Sequence, residues 1–188
     1  MSRSASGGRG EPPPENAPQA PRLRRGPDVS GAVLSLGSNV GDRLAYLQGC
    51  VDRLRDALRA VSGVYRSAPW GPVPQDDYYN AVVLVADPGT GPRGWLARAR
   101  AAEAAAARTR EVRWGPRTLD VDVIAVDDVR SADPELTLPH PRAHERAFVL
   151  VPWAEVDPDA VLPGYGPVAD LVRRLDRSGV RRTDLELS

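Results

Sequence analysis

The chain is predicted to fold as an α+β protein, a ferredoxin-like α/β/α sandwich around a central, mainly antiparallel sheet, behind a disordered N-terminal tail. Two observations predict this. Read coarsely, apolar periodicity gives the order strand, helix, strand, strand, helix, strand, which is that of a ferredoxin-like fold. Around position 120 the period is strictly two: Leu119, Val121 and Val123 alternate with Asp120 and Asp122, the mark of a strand with one buried face.

The elements follow in order. Residues 1–30 are rich in Gly, Pro, Ser and Arg, with Glu11-Pro12-Pro13-Pro14 and Arg25-Gly26-Pro27 blocking regular structure. Such a segment cannot bury enough apolar surface to offset its ordering entropy. Order is expected from Gly31, giving one domain over residues 31–188. Ala32 to Leu36 is a short buried strand. It runs into Gly37-Ser38-Asn39-Val40-Gly41-Asp42, a tight turn whose amides could hold a phosphate or simply join strand to helix. Asp42 is a helix N-cap. Leu44, Leu47, Val51, Leu54 and Leu58 recur at three and four residues, which predicts an amphipathic helix through Leu58.

A second strand is expected at Val64 to Ser67 and a third at Ala81 to Val85, opened by Tyr78-Tyr79-Asn80. Between them Ala68 to Asp77 is a stiff loop with three prolines, the kind of long connection that compact domains keep for a site. Tyr78 and Asn80 share a face of their strand. A ring beside a carboxamide suits a flat heterocycle, which the ring stacks on and the amide reads; a half-buried strand aromatic is the plainer account. Trp95 to Thr109 is a second helix, 109–117 a loop, and 119–126 the acidic strand. Beyond it Leu136 to Pro141 is an extended piece, Phe148 leads an apolar run ending at Pro152-Trp153, and Val168 to Leu175 is a last amphipathic helix.

Composition excludes several classes. With 188 residues and 41% hydrophobic content the chain suits one domain with a core. A net charge of zero argues against a nucleic-acid binder. The single cysteine, Cys50, rules out disulfides and cysteine-based zinc sites within the chain. No apolar run reaches membrane-spanning length, no secretory signal is visible, and a cytoplasmic location is expected. Every basic side chain is arginine, so a Walker A loop, which needs lysine, is excluded. Any nucleoside triphosphate must be handled by arginines and metal.

The acidic strand and its approach carry the chemistry. Asp120 and Asp122 project from one face, and two carboxylates so placed repel unless a counter-charge lies between them. Mg²⁺, which accepts one or two carboxylates plus phosphate oxygens, meets that need. Arg113 and Arg117 flank the Gly115-Pro116 turn just upstream, and their planar forks suit phosphate.

Residues 33–163 resemble the hydroxymethyldihydropterin pyrophosphokinases of folate biosynthesis. The resemblance rests on Gly37-Ser38-Asn39, Tyr65-Arg66-Ser67 with Pro69 and Gly71-Pro72, Asp77-Tyr78 with Asn80-Ala81, Leu136-Thr137 with Pro139-His140, and above all Arg113-Trp114-Gly115-Pro116-Arg117-Thr118-Leu119-Asp120 with Asp122. It implies transfer of the β,γ-diphosphate of ATP to the hydroxymethyl oxygen of 6-hydroxymethyl-7,8-dihydropterin, leaving AMP. By the same resemblance Asp120 and Asp122 would hold two Mg²⁺ ions. Tyr78 and Phe148 would sandwich the pterin, and Asn80 with the backbone of Ser67, Ala68, Pro69 and Trp70 would read its edges. Arg108 and Arg117 would act on the triphosphate together with Thr137, His140 and Arg146; Glu103 and Val123 would position the nucleoside. Arg110, Arg113 and Trp114 would ride on a loop closing over ATP. Partners would be the two small substrates only, with no nucleic acid and no membrane, and the chain would act as a monomer. Two other readings are a non-catalytic pterin- or nucleotide-binding module of the same fold, and a small RNA-binding protein.

Overall fold

A computed structural model describes residues 29–69, 75–106 and 118–188. The predicted tail lies outside them up to residue 28, and the first strand, β1 (Val29–Ser38), starts two residues before the expected boundary. β1 is followed by α1 (Arg43–Arg53), β2 (Leu58–Val61), β3 (Tyr65–Ser67), β4 (Tyr78–Pro88), α2 (Pro92–Ala105) and β5 (Asp120–Val126). The remainder comprises β6 (Ser131–Asp133), β7 (Leu136–Leu138), α3 (Ala147–Val156), β8 (Val161–Leu162), β9 (Gly166–Pro167), α4 (Val168–Arg174) and β10 (Val180–Arg182).

The main sheet has the order β10-β3-β4-β1-β5, with β2 also paired to β4. All of these pairings are antiparallel. β4, β1 and β5 thus take the positions a ferredoxin-like fold requires, with β1 central and the acidic strand at an edge. Helices cover both faces. Leu47, Cys50 and Val51 of α1 and Trp95, Ala99 and Ala102 of α2 form one core with Leu34, Leu36, Val83, Val121 and Val123. Val149, Leu150 and Trp153 of α3 and Val168 of α4 form the other with Val82, Leu84 and Ile124. The α/β/α sandwich follows from this division of apolar side chains.

Local structure departs from expectation in several places. Leu58 does not extend α1: the helix ends at Arg53, and Leu58 starts β2, where it pairs with Val85. Leu54, fully buried, caps the helix instead, so the three-four spacing runs one step past the element that made it. α2 begins at Pro92, because proline fits the first helical turn, where its missing N–H has no partner to lose. The acidic face of β5 is polar only at its start, since Ile124 continues it into the second core. Finally, the run from Phe148 to Trp153 is a helix with Pro152 inside it. Buried on nearly every side, α3 shows no polar stripe, and a short apolar run of that kind cannot be assigned by periodicity.

Candidate active site

The site is built on one row of the sheet. Asn80 on β4 pairs with Gly37 on β1, and Gly37 pairs with Asp120 on β5. One step along, Val82 pairs with Ser35 and Ser35 with Asp122. Paired residues of an antiparallel ladder point to one side, so Asn80, Gly37, Asp120 and Asp122 share the face that α3 covers. Tyr78 joins them: a Cβ added to Gly37 would lie 3.5 Å from Asn80 Oδ1 and 3.6 Å from Tyr78 Cδ1. Glycine there leaves a shelf, floored by backbone, between a carboxamide and the two carboxylates. At the usual strand spacing its length from Asn80 to Asp120 is about 10 Å.

Asn39 and Asp42 show what the turn after β1 holds together. Asp42 Oδ1 accepts from Ala45 N at 3.0 Å and caps α1. Asn39, 1% exposed, donates through Nδ2 to Gln75 Oε1 (2.8 Å) and to the Asp76 carbonyl (3.1 Å). Nearby, Arg43 donates to the Asp77 carbonyl (2.8 Å) and Arg66 pairs with the Asp77 carboxylate (2.6 Å). The turn thus serves to fasten residues 75–77, the approach to Tyr78. Ala68 and Pro69 follow β3 on the other side, and Trp70 lies outside the described residues.

Phe148 is the second residue of α3 and half-buried against the core on that face. The Arg146 guanidinium carbon sits 5.6 Å from its ring centroid. Arg146 also donates from Nη1 to Asp122 Oδ2 at 2.7 Å, with a side chain 13% exposed. His140 places Nε2 3.8 Å from the same oxygen. Burial holds its pKa below the usual imidazole value, outweighing the upward pull of Asp122, and Arg146 lowers it further. Its Nδ1 accepts from Arg142 N at 3.1 Å, so in the neutral ring Nε2 carries the proton and faces the carboxylate.

Beyond the acidic pair, at the open edge of β5, lies a cleft of about 330 Å³. Glu103, Asp120, Asp122, Val123, Thr137 and His140 line it, so those six expected site residues are brought together. Glu103 Oε1 accepts from Val121 N at 3.0 Å, tying α2 to the strand edge. Thr137 is anchored through its hydroxyl to the Asp133 carbonyl. The cleft also takes Arg100, which sequence reasoning passed over. Its position three residues before Glu103, on one helix face, was the available signal. Arg108, Arg110, Arg113, Trp114 and Arg117 lie outside the described residues.

Among the described residues no cluster of three or more His, Cys, Asp or Glu could hold a metal ion unaided. The two carboxylates nonetheless suit a cation of the Mg²⁺ type, which completes its shell with phosphate oxygens and water.

Comparison with known proteins gives the same picture. The model of the family described as 7,8-dihydro-6-hydroxymethylpterin-pyrophosphokinase matches residues 33–158. A 2-amino-4-hydroxy-6-hydroxymethyldihydropteridine pyrophosphokinase of Mycobacterium tuberculosis is 50% identical over 168 residues, covering 81% of this chain and 89% of that protein. One of Methylorubrum extorquens is 45% identical over 160 residues, covering 83% and 100%. Among solved structures, Plasmodium falciparum HPPK-DHPS, crystallised with pterin and p-hydroxybenzoate, superposes with a TM-score of 0.61 at 12% identity. That match spans 85% of this chain but 46% of the longer one, and it speaks for the fold. With the family model matching residues 33–158 of the 188 and relatives near half identity, the chain belongs to the 7,8-dihydro-6-hydroxymethylpterin-pyrophosphokinase family.

Proposed function

We infer that this chain is a pyrophosphokinase of folate biosynthesis, which moves the β,γ-diphosphate of ATP onto the hydroxymethyl oxygen of 6-hydroxymethyl-7,8-dihydropterin. The oxygen attacks the β-phosphorus, the bond from that phosphorus to the bridging α,β-oxygen breaks, AMP departs, and the hydroxyl proton is lost. The observation that carries this reading is the row Asn80-Gly37-Asp120, because a shelf for a flat ring there ends at the acidic pair bordering the cleft.

The residues divide the work as follows. Tyr78 and Phe148 take the two faces of the pterin, and Asn80 reads its edge with the backbone of Ser67, Ala68, Pro69 and Trp70. The cleft takes ATP. Glu103 and Val123 lie at the outer edge of β5, where we place the base and ribose, and Thr137, His140 and Arg146 lie toward the phosphates. His140 presents Nε2 on the side of the phosphates, and Arg146 brings a full positive charge there. We assign Arg108 and Arg117 to the triphosphate, and Arg110, Arg113 and Trp114 to a loop that would close over ATP and keep water from the diphosphate. Asp120 and Asp122 would hold two Mg²⁺ ions, which when bound would neutralise phosphate charge and lower the pKa of the attacking hydroxyl. Phosphoryl-type transfer demands positioning and charge neutralisation above covalent help, and this donor set provides both. The working unit we propose is a cytoplasmic monomer with one domain over residues 31–188.

The test is direct. Purified protein is incubated with ATP, Mg²⁺ and the dihydropterin, and the nucleotide products are separated. AMP that appears only with both pterin and Mg²⁺ establishes diphosphate transfer. ADP would mean single phosphoryl transfer and overturn the mechanism. No turnover with pterin still bound would leave a binding module.

A further inference from the structure

Asn80 is 3% exposed, and its carboxamide has a fixed polarity. Nδ2 donates to Ser67 Oγ at 2.9 Å and to the Tyr65 carbonyl at 3.4 Å. A carbonyl oxygen can only accept, so the Tyr65 contact requires the nitrogen to face β3. Oδ1 must then face the other way, over Gly37, and it is the atom a methyl group there would meet first. The shelf is therefore presented with an acceptor. Turning the amide over would set Oδ1 against the Tyr65 carbonyl, oxygen against oxygen.

The shorter of the two bonds is the one to Ser67, itself 5% exposed. β3 holds Ser67 in place from both sides. Ser67 pairs with Tyr78 on β4 and with Val180 on β10. The C-terminal segment pins the start of that strand too, where Thr183 Oγ1 donates to the Val64 carbonyl at 2.8 Å.

We propose that Ser67 is a positioning residue that locks Asn80 with its oxygen toward the shelf, so that the site selects a heterocycle with an N–H at that edge, a lactam, over one with an amino group and a bare ring nitrogen. The inference rests on the pterin-binding reading above. A lactam N–H donates to Oδ1. In a 4-amino pteridine the ring nitrogen at that edge carries a lone pair, which faces the oxygen and repels it. Without the Ser67 hydroxyl the amide keeps only the 3.4 Å bond, turns more readily, and discrimination falls.

The full-length chain is titrated by calorimetry, with Mg²⁺ and a non-hydrolysable ATP analogue present, against 6-hydroxymethylpterin and against 2,4-diamino-6-hydroxymethylpteridine. Ser67→Thr keeps the oxygen and Ser67→Val, of the same shape, removes it. The wild type should prefer the lactam, Ser67→Thr should keep that preference, and Ser67→Val should reduce it about tenfold, the scale of one hydrogen bond in a buried site. Affinity for the ATP analogue should stay within about twofold in all three, on the same scale. A role in packing alone would weaken both pteridines alike and leave the ratio unchanged. An unchanged ratio in Ser67→Val, or the same loss in Ser67→Thr, overturns the proposal. If Ser67→Val does not fold, Ser67→Ala, which crowds nothing, is read by the same criteria. A wild type that binds neither pteridine and makes no AMP defeats the functional reading and this proposal together. AMP production by the wild type with an unaltered ratio in the variants defeats only the proposal.

Discussion

Replacing Gly37 by alanine separates folding from function at the point where the two meet. The added Cβ would sit 3.5 Å from Asn80 Oδ1 and 3.6 Å from Tyr78 Cδ1, both ordinary van der Waals distances. Gly37 is paired on both sides in the centre of the sheet, in backbone that alanine adopts freely. The fold should lose nothing and gain up to about 0.5–1 kcal/mol, because alanine surrenders less chain entropy than glycine on entering a strand. In a domain of this size that is an increase of up to about 2–4 °C in Tm. Pterin binding should behave oppositely. The methyl occupies the floor on which the ring lies, lifting it from Asn80 and out of register with Tyr78. One buried hydrogen bond and part of a stacking contact amount to about 1–3 kcal/mol, or roughly a five- to 150-fold increase in the pterin Kd. Affinity for an ATP analogue, bound at the far side of the acidic pair, should change little. Calorimetric titration of both ligands and a thermal melt of Gly37→Ala suffice. A pterin Kd within threefold of wild type, at unchanged Tm, would show that the shelf is not the floor of the site and would refute the reasoning.

Removing either carboxylate should abolish AMP formation. Asp122→Ala also strips Arg146, a largely buried cation, of its 2.7 Å partner and should unfold at lower denaturant than the wild type, by an amount worth about 1–3 kcal/mol; near-normal turnover in either variant would remove the pair from the mechanism. Tyr65 should titrate late. Burial, and after it the Glu155 carboxylate, push its phenol up to about 12 from an ordinary value of 10.0. The folded pKa exceeds the unfolded one, so this contribution to stability is intact below about pH 10 and is lost as pH rises toward about 12. Tyr65→Phe should therefore remove a late step from the phenolate absorbance titration and flatten the stability profile over that interval, and superimposable titration curves would contradict the assignment.

Much of this site was legible because it lies on strands with one polar edge. The alternation at 119–123 placed Asp120 and Asp122 on one face, and the same rule put Tyr78 and Asn80 together, as the ladder has them. What the sequence could not show was that these were the same face of one sheet. That depends on register, since slipping one strand by a single residue turns all its side chains over. Gly37 illustrates the loss. In sequence it belongs to a turn motif with two readings, and only its pairing with Asn80 and Asp120 makes it a shelf. α3 was illegible for a different reason: a helix buried nearly all round carries no amphipathic signal, so Phe148 could be named for its site but not assigned to a helix.

The C-terminal segment was the hardest to foresee, and its physical account bears on the site. Val180–Arg182 is short and mostly exposed, with no alternation to mark it as a strand. It is held by what it closes. Arg182 pairs with Glu155 of α3 (3.0 Å) and with Glu186 (2.8 Å). Leu187 is buried in the first core, and the Ser188 carbonyl accepts from Gln48 and Arg55. An exposed β3 would be an unpaired three-residue edge, poorly ordered by itself. With β10 in place β3 becomes an inner strand, and Ser67 and the Tyr65 carbonyl acquire the fixed positions that orient Asn80. The polarity of the site at Asn80 is thus set by residues more than a hundred positions away in sequence, through backbone pairing rather than through any contact with a substrate.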